Sequence, residues 1–288
     1  MTTYLFPTLA GICFGVVGLS YRLGQARGLA TPMVVLHMTL AGVLFFGFRL
    51  NAESFAAPVI VWMLAIVAGL AQYASIELVA AALIRGPLSP IWCALNLVFV
   101  PVIIYSRLAL GETLDIYKVA GIAFAIASVV SGSQRSADTG GTATPTRFLP
   151  YLSILVAALL CNSILHGSIK HLDAVKLMGG HGSFFFCIMY LCLGLPILVK
   201  LFATGFGGTF SLWGFCTGLL AAFGSIAGFS LIAASASAPA AIVFTFSSIF
   251  SLISGALISV AFFREKVTVW WMIMLTLAIA AVIMVSIS

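Results

Sequence analysis

The most unusual side chain in this sequence is a carboxylate inside a long apolar segment. Glu77 lies in the stretch LAQYASIELVAAALIRG, eight residues before Arg85. An ionisable group within a membrane span is costly to bury and by default indicates a function. Tyr73 precedes Glu77 by four residues, so the two side chains share one helix face. Glu77 could balance a substrate cation or bind a coupling proton. Alternatively, it pairs with Arg22 or Arg85 near the membrane surface.

The same four-residue spacing recurs in two other apolar segments. Trp92 and Asn96 form one such pair, and Asn162 and His166 form the other. The ring faces of Tyr73 and Trp92 would attract a cationic group, and the amides would hydrogen-bond it. Together with the carboxylate described above, these residues predict an acidic, aromatic substrate site. For Trp92 the alternative is a role in helix packing.

Helices within a lipid bilayer must position these residues. The chain has 288 residues, of which 62% are hydrophobic and only 7% are charged. A bilayer core of roughly 30 Å needs about 20 apolar residues per helical span. The apolar runs predict an all-α membrane protein of ten transmembrane helices, at 4–22, 33–50, 58–83, 88–107, 115–133, 148–168, 180–202, 210–234, 239–262 and 268–287.

An internal repeat divides the ten predicted helices into five plus five. A first repeat at 1–133 and a second at 148–288 are joined by a polar linker at 134–147. The repeat appears in three pairs of phrases, LFPTL (5–9) with FLPYL (148–152), IRGPLSPIW (84–92) with SASAPAAIVF (235–244), and LGETL (110–114) with FREKV (263–267). An odd number of helices per repeat places the two halves in opposite orientations, as in many secondary transporters.

The segment PLSPIWCALNLVFVPVIIYSRLALGETLDIYKVAGIAFAIASVV carries a family resemblance. With its Pro101, its Gly111-Glu112 corner and its small-residue helix around Gly121, it resembles the ten-helix, EamA-type branch of the drug/metabolite transporter superfamily. The resemblance extends over nearly the whole chain. The second copy departs from the pattern, since Arg264-Glu265 replaces Gly-Glu and no proline matches Pro101.

This resemblance implies a specific architecture. The family has two inverted five-helix repeats around a central cavity, which is lined by the first, third and fourth helices of each half. Its members carry amino acids, amines, sugar derivatives, nucleotides or drugs, so the fold does not name a substrate.

Two histidines occupy similar places in the two halves. His37 and His181 lie in the second and seventh predicted helices and are 144 residues apart. A titratable imidazole at such positions could gate transport or relay protons. Alternatively, each is a hydrogen-bond partner between helices.

The repeat adds two candidates in the ninth helix. Phe244 aligns with Trp92, and Ser248 lies near the counterpart of Asn96. We expect both to face the substrate. Glu112, in contrast, is placed to cap the N-terminus of the fifth helix, where an anion is stabilised.

The favoured function is a secondary-active transporter that moves a small polar metabolite by alternating access. An amine or amino-acid-like substrate fits the acidic and aromatic residues best. The alternatives are a broad-specificity drug exporter, a lipid flippase, and a divalent-cation carrier or channel. We expect no enzyme activity, because no nucleophile, base or metal set converges. We expect no cofactor and no metal site: His166 and His171 would lie about 140° apart on a helix.

The expected partners are the substrate, membrane lipid and a coupling proton or ion, with no nucleic acid. The sequence leaves open whether the protein forms a homodimer. The family resemblance predicts a multi-pass inner or plasma membrane protein with cytoplasmic termini. Loop charges point the other way. With cytoplasmic termini, 5 basic residues would lie inside and 8 outside. The outer set is Arg22, Arg27, Arg85, Arg135, Arg147, Lys200, Arg264 and Lys266.

Overall fold

Helices account for nearly all of the chain that the computed structural model describes, which is residues 2–29, 31–83, 91, 94–138, 148–204, 211–263 and 269–287. No strand occurs within these ranges. Within these ranges, a short 3-10 helix at Ala52–Ala56 accompanies ten α-helices whose bounds are described. These are α1 (Thr2–Ala26), α2 (Thr31–Gly47), α3 (Val59–Leu83), α4 (Phe99–Ala109), α5 (Ile116–Asp138), α6 (Phe148–Ala174), α7 (Met178–Thr204), α8 (Leu212–Ser235), α9 (Ala240–Phe263) and α10 (Val269–Ile287).

Six helices of the described chain are long and apolar enough to cross a membrane. They are α1, α3, α6, α7, α8 and α9, whose apolar spans are 22 to 26 residues long. Shorter apolar helices occupy 31–47, 94–109, 116–131 and 272–287. The predicted all-helical, multi-pass membrane character is therefore confirmed.

The helix ends lie within a few residues of most predicted spans. This follows because bilayer thickness sets helix length. Helix α5 continues to Asp138 and so includes the first five residues of the predicted linker, and the rest of that linker lies outside the described residues. The start of the fourth predicted span also lies outside them.

Helices α2 and α7 pack antiparallel against each other. A Cβ atom added at Gly42 would lie 2.7 Å from the Tyr190 ring, and one added at Gly194 would lie 2.9 Å from Thr39 Oγ1. Residue numbers along α2 therefore rise as those along α7 fall. Glycine lets the two backbones approach this closely, as is common between membrane helices.

The remaining helices pack in a regular set of pairs. Helix α1 lies against α8 and α9, while α6 lies against α3 and α4. Helix α3 packs on α7, and α2 packs on α8. Three further pairs are α2 with α7, α4 with α9, and α5 with α10. Exchanging every helix for the one five places away leaves these nine pairs unchanged, whereas the contact of α9 with α10 has no counterpart of similar extent between the described residues of α4 and α5.

Both ends of the chain lie at the same end of the bundle. The Tyr4 hydroxyl donates a hydrogen bond to the backbone carbonyl of Ser286, at 3.5 Å. We call this end the terminal face, and the other end the opposite face. Gly11 of α1 packs on Ser247 of α9 while Gly15 packs on Ser254, so α9 runs parallel to α1 and begins at the terminal face. Helix α8 ends a short turn before α9 and therefore finishes at the same face.

Candidate functional site

The interior of the bundle contains a histidine surrounded by phenylalanine rings from three other helices. His166 of α6 lies with its ring centroid 6.3 Å from Phe14 of α1, 5.9 Å from Phe229 of α8 and 5.7 Å from Phe244 of α9. We call these four residues the aromatic–histidine cluster. The Phe14 and Phe244 rings meet the imidazole edge-on, at 68° and 80°, which is a favoured geometry for aromatic pairs.

The backbone of α6 sets the hydrogen-bonding state of the histidine. Nδ1 of His166 lies 3.1 Å from the carbonyl oxygen of Asn162, one turn earlier. A carbonyl oxygen only accepts, so Nδ1 carries the proton in this contact. The neutral ring then presents Nε2 as a hydrogen-bond acceptor. His166 itself is buried, which favours this uncharged form.

A hydroxyl pair extends the cluster along α7 and α8. Phe186 stacks on Phe229 with ring centroids 6.0 Å apart. One turn further along α7, the Tyr190 hydroxyl lies 2.6 Å from Ser225 Oγ, and either atom can donate. Ser225 in turn precedes Phe229 by one turn of α8. The ring-lined region therefore continues directly into a polar but uncharged one.

The chemistry of this region suits binding. Four phenylalanine rings offer apolar surface, while an imidazole nitrogen and two hydroxyls offer hydrogen bonds. Such a combination, mostly apolar with few polar groups, is typical of small-molecule sites. Among the residues that the structure describes, no three His, Cys, Asp or Glu side chains are grouped to hold a metal ion.

The predicted acidic residue Glu77 is engaged with another helix. Lys200 Nζ of α7 donates to both of its carboxylate oxygens, at 2.8 and 2.7 Å. The side chains of Glu77 and Lys200 are 32% and 44% exposed. Arg22 and Arg85 were the alternative partners predicted for Glu77, whereas its partner in the structure is a lysine 123 residues away. Tyr73, one turn before Glu77, packs partly buried against the hydrophobic core.

The other predicted substrate-binding residues fall in several places. His166 and Phe244 are brought together in the aromatic–histidine cluster, and Asn162 joins it through its carbonyl group. Asn96 and Ser248 are buried. Trp92 lies outside the described residues.

The two candidate gating histidines lie far apart along the α2–α7 pair. His37 Nδ1 is 2.8 Å from the carbonyl oxygen of Met33, and its ring lies edge-on to Phe215. His181 Nδ1 is buried and has no hydrogen-bond partner within the described part of the chain. His37 is nearly level with Gly194 of α7, thirteen residues from His181, which is about 20 Å along the helix. The two rings are therefore too far apart to exchange a proton directly.

A buried ion pair at the terminal face was not predicted from the sequence. Lys170 Nζ lies 2.8 Å from Glu112 Oε1 and also donates to the carbonyl oxygens of Ala236 and Ala238, at 2.8 and 2.7 Å. Glu112 Oε2 accepts a hydrogen bond from the backbone N–H of Ala240, at 2.8 Å. The pair thus joins the α4–α5 corner, the end of α6 and the α8–α9 turn. The charge on Lys170 was visible in the sequence, but its partners are 58 or more positions away.

The prediction that Glu112 caps the fifth helix is wrong, whereas Asp115, which the sequence offers for the same role, does cap it. Glu112 reaches across the bundle to the first residue of α9, and α5 is capped by Asp115, whose Oδ1 accepts from the Lys118 N–H at 2.8 Å. Asp115 is adjacent to α5, so its short side chain reaches the free N–H groups of the first turn. The hydrogen bond from the Lys118 backbone lowers the pKa of the Asp115 carboxyl, with a smaller effect from the lysine charge.

Comparison with known proteins supports the fold alone. No family model and no curated protein matches this chain. A solved structure described as "Crystal structure of protein" aligns with a TM-score of 0.76 over 99% of this chain and 96% of its own, at 14% sequence identity. The chain is therefore similar in fold to that structure over its whole length.

Proposed function

We propose that this protein is a secondary-active transporter that carries a small metabolite by alternating access, with two inverted five-helix repeats. The observation that carries the proposal is the packing of the helices, since the most extensive helix pairs, such as α1–α8 with α3–α6, are matched when the halves are exchanged. Inverted repeats with a site between them are the common plan of secondary transporters. The fold itself does not name a function, so the site must supply the rest.

Contacts between α2 and α7 support the repeat residue by residue. His37 and His181 are 144 residues apart. With this offset, Phe186 is the counterpart of Gly42, and Tyr190 is the counterpart of Phe46. The contact between Gly42 and Tyr190 therefore predicts one between Phe46 and Phe186. Their rings lie 5.0 Å apart. Because α2 and α7 are antiparallel, a two-fold axis that exchanges them must run perpendicular to both helices. An inverted repeat requires an axis of this orientation.

Helices α5 and α10 support the same relation with an independent offset. The offset is 153 residues, the separation of the Gly111-Glu112 corner from Arg264-Glu265. With this offset, Met274 is the counterpart of Gly121, and Ala281 is the counterpart of Ser128. Ser128 Oγ donates to the Met274 carbonyl oxygen at 2.8 Å. In the counterpart contact, a Cβ at Gly121 would lie 3.1 Å from the Ala281 carbonyl oxygen.

The aromatic–histidine cluster and the hydroxyl pair are the substrate site of this proposal. They lie on α1 of the first half and on α6, α7, α8 and α9 of the second. The rings can hold an apolar or cationic group, while His166 and the hydroxyl pair can hydrogen-bond a polar one. Glu77 is neutralised by Lys200, so the rings replace it as the feature that favours amines and amino-acid-like molecules. The transporter would lie in the cell membrane with both termini in the cytoplasm.

A ligand screen with matched phenylalanine variants tests this proposal. Purified protein is melted with amines, amino acids, nucleosides and sugars. A ligand at 100 times its dissociation constant adds about 2.7 kcal/mol of stability. We expect a ligand to stabilise the wild type and Phe223→Leu, whose ring is 65% exposed on the same helix, but not Phe229→Leu. Glu77→Gln should respond like the wild type. Equal loss of the response in both phenylalanine variants would contradict the assigned site.

A further inference from the structure

We propose that the Lys170–Glu112 ion pair is a latch that closes the substrate path at the terminal face, directly beneath the aromatic–histidine cluster. The inference rests on the proposed transport function. It assigns to a specific pair of charges the task of sealing one side of the protein while the other side opens.

The latch is one helical turn away from the cluster on two helices. Lys170 follows His166 by four residues on α6, so the two side chains share a face of that helix. Ala240, whose N–H binds Glu112, precedes Phe244 by four residues on α9. One turn corresponds to about 5.4 Å along the helix axis. Helix α6 ends and helix α9 begins at the terminal face. The ion pair therefore lies between the cluster and that face.

Helix ends explain why the charges are stable in this place. The Lys170 ammonium sits on the carbonyl groups that follow α8, where the helix dipole is negative. The Glu112 carboxylate sits on the first N–H of α9, where the dipole is positive. The pair therefore bridges the α8–α9 turn and holds it against the α4–α5 corner.

The bonding pattern makes the latch a two-state element. If the α8–α9 turn moves away, Lys170 loses two acceptors and Glu112 loses one donor at the same time. The two charges stay paired with each other, but a buried ion pair that has lost its surrounding hydrogen bonds no longer offsets its desolvation. Intermediate positions are therefore disfavoured, and the turn is stable either closed or fully open with both charges in water.

The two faces of the bundle differ in the surroundings of their corresponding basic residues, as expected if only one side is closed. The offset of 143 between LFPTL and FLPYL makes Arg27 the counterpart of Lys170. Arg27 lies at the opposite face, with its guanidinium carbon 3.9 Å from the centre of the Trp213 ring at the start of α8. At the terminal face, by contrast, the Lys170 side chain is only 6% exposed. Lys170 is therefore buried in an ion pair, while its counterpart Arg27 contacts an aromatic ring.

Side-specific thiol labelling tests the latch. The six native cysteines are replaced, and Ser225→Cys is introduced as a reporter beside the cluster. A second reporter, Phe48→Cys, is 87% exposed just after α2 and identifies the membrane side on which the terminal face lies. A membrane-impermeant methanethiosulfonate reagent is applied to cells and to inverted vesicles. We expect the Ser225 reporter to react from the opposite face and only slowly from the terminal face.

Neutralising the latch should open the terminal face. In Lys170→Met/Glu112→Gln, we expect the labelling rate of the Ser225 reporter from that face to rise at least about tenfold, equivalent to about 1.4 kcal/mol in the gating equilibrium. Glu112→Gln alone, which keeps an acceptor for Ala240, should give a smaller rise in the same direction. The matched pair Lys200→Met/Glu77→Gln, at the opposite face, should leave this rate unchanged.

The outcomes separate the latch from the transport function. If the reporter reacts from the opposite face in every variant but its rate from the terminal face does not change, the latch is wrong and the transport path stands. If it reacts from neither face in any variant, both the latch and the proposed function are overturned. A cooperative melting transition in each variant establishes that the protein is folded, while the Phe48 reporter identifies the membrane side only.

Discussion

Replacing Lys170 with methionine removes the positive charge of a buried ion pair and leaves the carboxylate of Glu112 in place. The two side chains are 6% and 22% exposed, and three oxygen atoms accept from Nζ. Breaking such a pair by removing one partner costs about 3–5 kcal/mol, because the other charge stays buried and unpaired. In a protein of this size about 1 kcal/mol corresponds to roughly 2 °C. We therefore expect Lys170→Met to lower the melting temperature by about 6–10 °C.

Removing both charges should be less damaging than removing one. Lys170→Met/Glu112→Gln has no unpaired charge, but it leaves the carbonyl groups of Ala236 and Ala238 without their donor. Each lost hydrogen bond costs about 1 kcal/mol, so we expect a loss of about 2 kcal/mol for the double variant. The assay is thermal unfolding of detergent-purified protein at one fixed heating rate, because unfolding of such proteins is commonly irreversible.

The chain contains a matched control for this prediction. Glu77 and Lys200 form an ion pair of the same residue types, with side chains 32% and 44% exposed. Pairs in contact with water contribute about 0–1 kcal/mol. We expect Lys200→Met to shift the melting temperature by no more than about 2 °C. The reasoning is refuted if Lys200→Met destabilises as much as Lys170→Met, or if the double variant at the buried pair is no more stable than the single one.

Two further predictions concern helix packing and pH. Gly224→Ala should lower the melting temperature, since the new Cβ would lie 2.5 Å from the Cys13 carbonyl oxygen and overpacking costs about 1–3 kcal/mol. Gly167→Ala should not lower it, because a Cβ at Gly167 would have no other atom within 4 Å. Asp115 has a lowered pKa because the Lys118 N–H donates to it, so its contribution to stability is present above the unfolded-state pKa and is lost as pH falls through the folded-state pKa. The melting temperature of Asp115→Asn should therefore fall below that of the wild type near neutral pH, and the two should converge in strongly acidic buffer.

The helices themselves could be predicted because the bilayer fixes their length. Each apolar run had to supply about 20 residues, and loop residues marked its ends. The proposed repeat was inferred from short phrases and from the spacing of His37 and His181, and the contacts of Gly42 and Gly121 support it. These features depend on local sequence and on one external constraint, so an alignment of homologues was not needed.

The aromatic–histidine cluster could be predicted only in part. His166 was chosen because it is polar within an apolar run, and Phe244 because the repeat aligned it with Trp92. Phe14 and Phe229 carried no such signal among 23 phenylalanines. In a membrane helix the lipid-facing side is as apolar as the interior, so hydrophobic periodicity does not separate Phe229 from the exposed Phe223.

Charged contacts were harder to predict because their partners are distant in the sequence. Glu112 was expected to cap the nearest helix, yet it binds Ala240, 128 residues away. For Glu77 the predicted alternative to a substrate or proton role was a pair with Arg22 or Arg85, and its partner is instead Lys200 on α7. Local rules identify which charges need partners, but only the packing of the two halves decides which partners they meet.

Counterflow in proteoliposomes tests the central claim most directly. Vesicles containing the protein are loaded with an unlabelled ligand from the thermal screen and placed in a trace of the same ligand in radiolabelled form. A transporter predicts transient accumulation of label above that in empty vesicles, with little accumulation for Phe229→Leu and a normal level for Phe223→Leu. A ligand that stabilises the protein but gives no accumulation above empty vesicles would contradict the account, because the site would then bind without transporting.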